Sequence, residues 1–182
     1  RLPRERWDRT SWGGAHLVLP TKGMQLDCGG VVKEYSADRA AQICRTAGIA
    51  HGLVELGGDI AIIGPHPDGS PWRVGIRHPR ELESAIAYVE LVSGAIASSG
   101  AYERFMEVDG KRYCHILNPR TGWPAQYLES VSVIAPQCLI AGTSSTVAML
   151  KEKEGPQWLE GLGLPHLCFD AQLQPAGNLA FR

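Results

Sequence analysis

Histidine is the side chain best placed to move a proton near neutral pH, and His115 enters a segment, HILNPRTG, with the makings of an anion site. Asn118-Pro119 starts a turn, and Arg120, Thr121 and Gly122 follow as a compact, donor-rich loop. A guanidinium, a hydroxyl and free backbone amides suit a pyrophosphate. A histidine beside them is placed to move a proton. Taken alone, a histidine at a strand end is more often structural, and the loop behind it is what shifts the balance.

Four further groups carry chemistry of the same kind. Gly29 and Gly30 allow close backbone approach and leave amides for phosphate oxygens near a helix start, with Lys33 adding a point charge. The spacing is not that of a Walker motif. A second pair, Gly57-Gly58, runs directly into Asp59; it is either a bulge inside a strand or another close approach, with Asp59 orienting Lys33. Ser98, Ser99 and Gly100 precede Ala101-Tyr102-Glu103-Arg104, a ligand-facing loop or a plain turn. Arg104 either contacts phosphate or pairs with Glu103 or Glu107. Ala141-Gly142-Thr143-Ser144-Ser145-Thr146 is expected to open a late helix, its hydroxyls capping it or its amides facing an anion.

The elements that must hold these groups are mostly strands. A Gly13-Gly14 turn precedes a strand over Ala15 to Leu19. Apolar residues at helical spacing predict a helix from Tyr35 to Ala47, capped by Ser36 and ended by Gly48. Strands are expected at Leu53 to Leu56, Ile60 to Ile63, Trp72 to Ile76, Ala85 to Leu91, Ala95 to Ser98 and Ser130 to Ala135. Phe105 to Val108, Asp109-Gly110, and Arg112 to Ile116 form a hairpin signal, since Asp-Gly supplies positive φ angles. Ile140 to Leu150 predicts a buried helix, and a C-terminal hairpin uses Leu167 to Phe169. Hairpin-connected strands with two or three packed helices make an α+β domain spanning residues 1–182.

Composition narrows the partners. The 182 residues include 18 basic and 19 acidic ones, so no broad electrostatic grip on nucleic acid is expected. No apolar run approaches the roughly 20 residues that span a bilayer. The five cysteines, Cys28, Cys44, Cys114, Cys138 and Cys168, form no CxxC pair and are expected to be small buried hydrophobes rather than a zinc site or disulfide framework. Arg1 in place of Met suggests an N-terminus that has been processed or truncated.

In this order, the segments resemble the FAD:protein FMN transferase family, the ApbE-type flavin transferases. LDCGGVVKEYSADRAA is similar to the family's D-x-G-G-(I/V)-A-K-G-Y-A-x-D, VELGGDI to N-x-G-G-D-(I/L), SSGAYER to (T/S)-S-G-x-Y-E-R, and HILNPRTG to H-I-(L/I)-(D/N)-P-x-T-G. The match runs from about Met24 to Leu150. It implies an ApbE-like, T-fold-like architecture and a reaction in which FAD is cleaved at its pyrophosphate. FMN passes to a Thr or Ser of an acceptor protein and AMP leaves, with Mg²⁺ neutralising the phosphates. The resemblance gives His115 the role of general base and places Gly29, Gly30, Lys33, Asp59, Ser99, Gly100, Arg120 and Thr121 around FAD. It places the metal at the Val32 carbonyl and Thr146, and suggests a bacterial cell envelope or periplasm as the location.

Two departures matter. The family's metal-binding Asp on the late helix corresponds to Gly142, so metal affinity is expected to be weakened. Glu34 stands where the family has Gly, adding negative charge beside the phosphate loop. A catalytically impaired FAD-binding protein, or hydrolysis of FAD to FMN and AMP, are the alternatives to transfer. Only 23 residues precede Met24, where members carry a longer stretch, so the usual N-terminal segment is expected to be missing.

Overall fold

A computed structural model describes residues 9–81, 83–102 and 104–180. Strands β1 (Ser11–Gly13) and β2 (His16–Val18) form a small hairpin that turns at Gly14, where φ is 63°. Helix α1 (Val32–Thr46) starts before the apolar periodicity does, because the residue its first turn buries is Glu34, not an apolar one. Ser36 does not cap it. Its hydroxyl donates back to the Val32 carbonyl at 2.7 Å from inside the helix, and the cap position is Val31. Gly48, at φ 86°, ends the helix as expected.

Strands β3 (Gly52–Leu56) and β4 (Asp59–Gly64) pair antiparallel, with Leu56 opposite Asp59. Gly57-Gly58 is therefore a two-residue hairpin turn, not a bulge in one strand; both φ angles are positive, 57° and 90°, which reverses the chain. Next come β5 (Trp72–Arg77) and β6 (Ala85–Leu91), a paired ribbon, and β7 (Ala95–Gly100). The hairpin of β8 (Phe105–Val108) and β9 (Lys111–Cys114) turns on Asp109 and Gly110, both at positive φ. Then follow β10 (Leu128–Ala135), α2 (Cys138–Lys151), α3 (Gly155–Gly161), β11 (His166–Asp170) and β12 (Pro175–Gly177).

Six strands form one antiparallel sheet in the order β12-β11-β10-β7-β4-β3. Alternation along the strands divides its side chains between two layers. Ala61, Ala95, Ala97, Val131, Val133 and Cys168 face α1 and α2, meeting Ala37, Ala41, Ala141 and Ala148. Ile62, Ile96, Leu167 and Phe169 face the β5–β6 ribbon and meet Val74, Ile76 and Val89. Each fully buried Val or Ile of that layer contributes about 1.5–3 kcal/mol. The helix side is lined instead by alanines, and their small size lets two helices lie close to the strands. Helices stacked on one face of an antiparallel sheet make the fold α+β.

Candidate active site

Ser99 continues the Ala95, Ala97 alternation of β7, so its side chain enters the helix layer rather than solvent. There its Oγ lies 2.8 Å from Ser145 Oγ and 3.0 Å from Thr146 Oγ1. Ser145 also donates to the Gly142 carbonyl at 2.9 Å. Ser145 and Thr146 lie in the interior of α2, which opens at Cys138, so the AGTSST segment neither starts nor caps the helix. The cap comes from another element: Asp38 of α1 accepts the Cys138 and Leu139 amides at 2.8 and 2.9 Å. Nothing local to α2 announces that cap.

Asp59 begins β4 and is only 2% exposed. Lys33 Nζ stands 2.9 Å from its Oδ2 and donates to the Gly57 carbonyl at 3.2 Å. One lysine thus ties the first glycine segment to the second, the arrangement anticipated for Asp59. Burial pushes the Asp59 carboxyl above its usual range; Lys33 opposes this, while the nearby Glu34 charge reinforces it. Carboxylates also order both glycine turns: Asp27 accepts the Gly29 amide at 2.7 Å, and Glu55 accepts the Gly58 amide at 2.6 Å. The Gly29 amide is thereby used internally. A Cβ added at Gly30 would meet nothing within 4 Å, so the space above that residue is open to a ligand.

Glu34 is the feature whose consequence the sequence hid. It shares a face of α1 with Ala37, Asp38 and Ala41, at helical spacing, and is 6% exposed. A Cβ built on Gly142 would lie 2.5 Å from Glu34 Cγ and 2.8 Å from its Oε1. Glu34 therefore occupies the volume that a side chain at position 142 would need. Its Oε2 is buried without a hydrogen-bond partner.

The second half of the site lies beyond the β8–β9 hairpin. His115 is exposed, and its backbone amide and Nδ1 both engage the Arg104 carbonyl at 3.0 Å. A carbonyl only accepts, so Nδ1 carries the proton and the neutral ring keeps its lone pair on Nε2. The HILNPRTG loop closes on itself: Asn118 Oδ1 accepts the Arg120 amide at 2.9 Å, and the Asn118 carbonyl accepts the Gly122 amide at 2.8 Å. The Trp123 amide donates to Thr121 Oγ1 at 3.2 Å. The loop amides expected to be free are thus committed to the turn, while the Arg120 and Thr121 side chains are exposed on its surface. Glu152 accepts the Gln126 and Tyr127 amides and holds the exit of the loop.

Other expected residues fall in different places. Gly100 has a packing role, since a Cβ there would come within 2.2 Å of the Tyr102 ring. Val32 opens α1, and its carbonyl accepts the Ser36 hydroxyl. Glu107 pairs with Arg112 at 3.7 Å, while Glu103 lies outside the described residues. A cleft of about 330 Å³ is lined by Arg80, Tyr102, Arg112, Cys114 and Glu129. Of the cysteines, Cys114, Cys138 and Cys168 are buried as expected, while Cys28 is exposed.

Comparison with known proteins is consistent with this geometry. The ApbE family model matches residues 2–167. An FAD:protein FMN transferase of Salmonella typhimurium is 39% identical over 140 residues, covering 76% of this chain and 40% of that protein. One of Treponema pallidum is 37% identical over 166 residues, covering 80% of this chain and 46% of that protein. The chain thus spans less than half the length of these relatives. Among solved structures, the ApbE protein of Thermotoga maritima superposes with a TM-score of 0.88 at 33% identity, covering 96% of this chain and 59% of its own. The flavinyl transferase ApbE of Pseudomonas stutzeri gives 0.77 at 31% identity, covering 92% and 52%.

Proposed function

We propose, from the premise that this chain belongs to the ApbE family, that it transfers FMN from FAD to a Thr or Ser hydroxyl of an acceptor protein. The observation that carries the reading is His115, with Nδ1 fixed by the Arg104 carbonyl and Nε2 left to accept a proton. The acceptor hydroxyl oxygen bonds to the flavin-side phosphorus, and the bridging P–O bond breaks toward the adenylyl side. The hydroxyl proton goes to His115 Nε2, and AMP leaves with the bridging oxygen and its electron pair.

The rest of the chain positions and neutralises. Arg120 and Thr121 present a guanidinium and a hydroxyl on a loop held by Asn118. Lys33, held by Asp59, stands where α1 meets the glycine turns and adds positive charge beside a phosphate. The residues present fit a divalent cation, because Glu34 Oε2 lacks a partner and Thr146 lies one helical turn beyond Gly142. Thr146 and the Val32 carbonyl are assigned to hold Mg²⁺, which when bound supplies neutralisation of pyrophosphate charge.

The test is mass spectrometry of a Thr-bearing acceptor after incubation with the chain, FAD and Mg²⁺. An FMN-sized increase on the acceptor that His115→Ala abolishes supports the reading. Labelling that persists unchanged in His115→Ala overturns it. AMP release without an acceptor identifies water as the nucleophile and the reaction as hydrolysis.

A further inference from the structure

Two residues that differ separately from the family motif meet in the fold. Asp38 touches the residues that open α2, and Glu34, one turn back on α1, meets Gly142, one turn forward on α2. The helices therefore run antiparallel at this contact. The bare backbone at 142 leaves room for the Glu34 side chain, which a side chain there would force to shift. Positions 34 and 142 hold one carboxylate between them, carried on α1 instead of α2.

Among the described residues, no cation forms an ion pair with that carboxylate. Glu34 Oε2 is buried and unpartnered. Asp59 and Asp38 nearby carry the same sign, and Lys33 is engaged with Asp59. A buried carboxyl group without a partner is costly to ionise, and a cation is the natural remedy. The hydroxyl of Thr146 stands on the same face of α2 as Gly142, and Ser99 Oγ reaches it at 3.0 Å. Hard divalent cations take oxygen ligands of these kinds.

We propose that Glu34 is a ligand of the divalent cation in this protein, supplying from α1 the carboxylate that Gly142 cannot supply from α2. The assignment rests on the reading of the site as one that handles a pyrophosphate, and its test does not depend on turnover. Mn²⁺ replaces Mg²⁺, and binding to the intact chain with FAD present is followed by loss of the free Mn²⁺ paramagnetic resonance signal. Glu34→Gln keeps the shape and removes the charge; it is expected to weaken binding about tenfold or more. Gly142→Asp alone brings a second side chain into the volume of Glu34 and is expected to fold less stably. Glu34→Gly with Gly142→Asp moves the carboxylate to the other helix and is expected to recover most of the affinity that Glu34→Gly loses.

Thermal melts of every variant separate metal loss from unfolding. Glu34→Gln that is folded and binds Mn²⁺ like the wild type overturns the assignment, as does a folded double variant that binds no better than Glu34→Gly. Mn²⁺ binding that depends on Glu34, in a chain that transfers no flavin, leaves the ligand in place and removes the transfer reading. Flavin transfer with Mn²⁺ affinity indifferent to Glu34→Gln does the reverse.

Discussion

The site has two halves built on different principles. The HILNPRTG half is local: Asn118, Thr121, Gly122 and Trp123 bond to one another, and His115 bonds to Arg104 across its own hairpin. The other half is tertiary. Lys33, Glu34 and Asp38 come from one helix, Asp59 and Ser99 from two strands, and Gly142, Ser145 and Thr146 from a second helix. The His115, Arg120 and Thr121 side chains of the local half are exposed, so altering them should leave the fold standing, whereas much of the tertiary half is also core. Chemistry and stability should separate along that division.

The largest effect is expected at His115. His115→Ala should lower FMN transfer about 10²–10⁴-fold, the usual contribution of a positioned base. Unfolding by urea should be nearly unchanged, because the ring is exposed and bonds only to a carbonyl. A large fall in stability would break the comparison, since it would make this half structural as well.

Gly100→Ala probes the opposite behaviour. Its Cβ would press into the Tyr102 ring at 2.2 Å, and overpacking of this kind costs about 1–3 kcal/mol. The measurement is urea unfolding of Gly100→Ala in wild-type and Tyr102→Ala backgrounds. The penalty should shrink once the ring is gone, so equal penalties in both would assign Gly100 to something other than packing.

This division also explains what could be read in the sequence. Asp109-Gly110 and the alternating strands around it identify a hairpin because the information is contiguous. HILNPRTG was legible for the same reason, down to the turn at Asn118. Ser36 misled because a serine at a helix start has two hydrogen-bonding choices, and here its hydroxyl bonds back to Val32. Gly57-Gly58 misled because paired glycines fit a bulge or a hairpin until the partner strand is known. Glu34 and Gly142 were each visible as departures, 108 positions apart (142 minus 34), yet only packing shows that they meet.

Asp38→Ala tests how far the tertiary half depends on contacts between elements. It would leave the Cys138 and Leu139 amides without their acceptor, at a cost of about 1–2 kcal/mol, typical of a lost helix cap. Asp38→Asn keeps one acceptor oxygen and should lose less. The quantity to measure is the urea midpoint at constant slope, and equal losses for the two variants would mean that the charge, not the capping bond, does the stabilising.

The smallest effect is a reaction expected not to happen. Cys138 is fully buried at the start of α2, and burial first, then the charges of Asp59, Asp38 and Glu34, push its thiol up to about 12. Cys168 is pushed up to about 12 by burial alone. A thiol needs its ionised form to react, and at pH 8 a pKa near 12 leaves only about one molecule in ten thousand ionised. In the native protein, iodoacetamide at pH 8 should therefore mark exposed Cys28 and spare both buried thiols, as read by peptide mass spectrometry. The contrast sharpens in Asp38→Ala. If the tertiary half opens where its cap is removed, Cys138 should become labelled while Cys168, between β10 and β12, stays protected. Labelling of both together would mean that the sheet and the helix layer open as one unit, and the two halves of the site would then share a single stability.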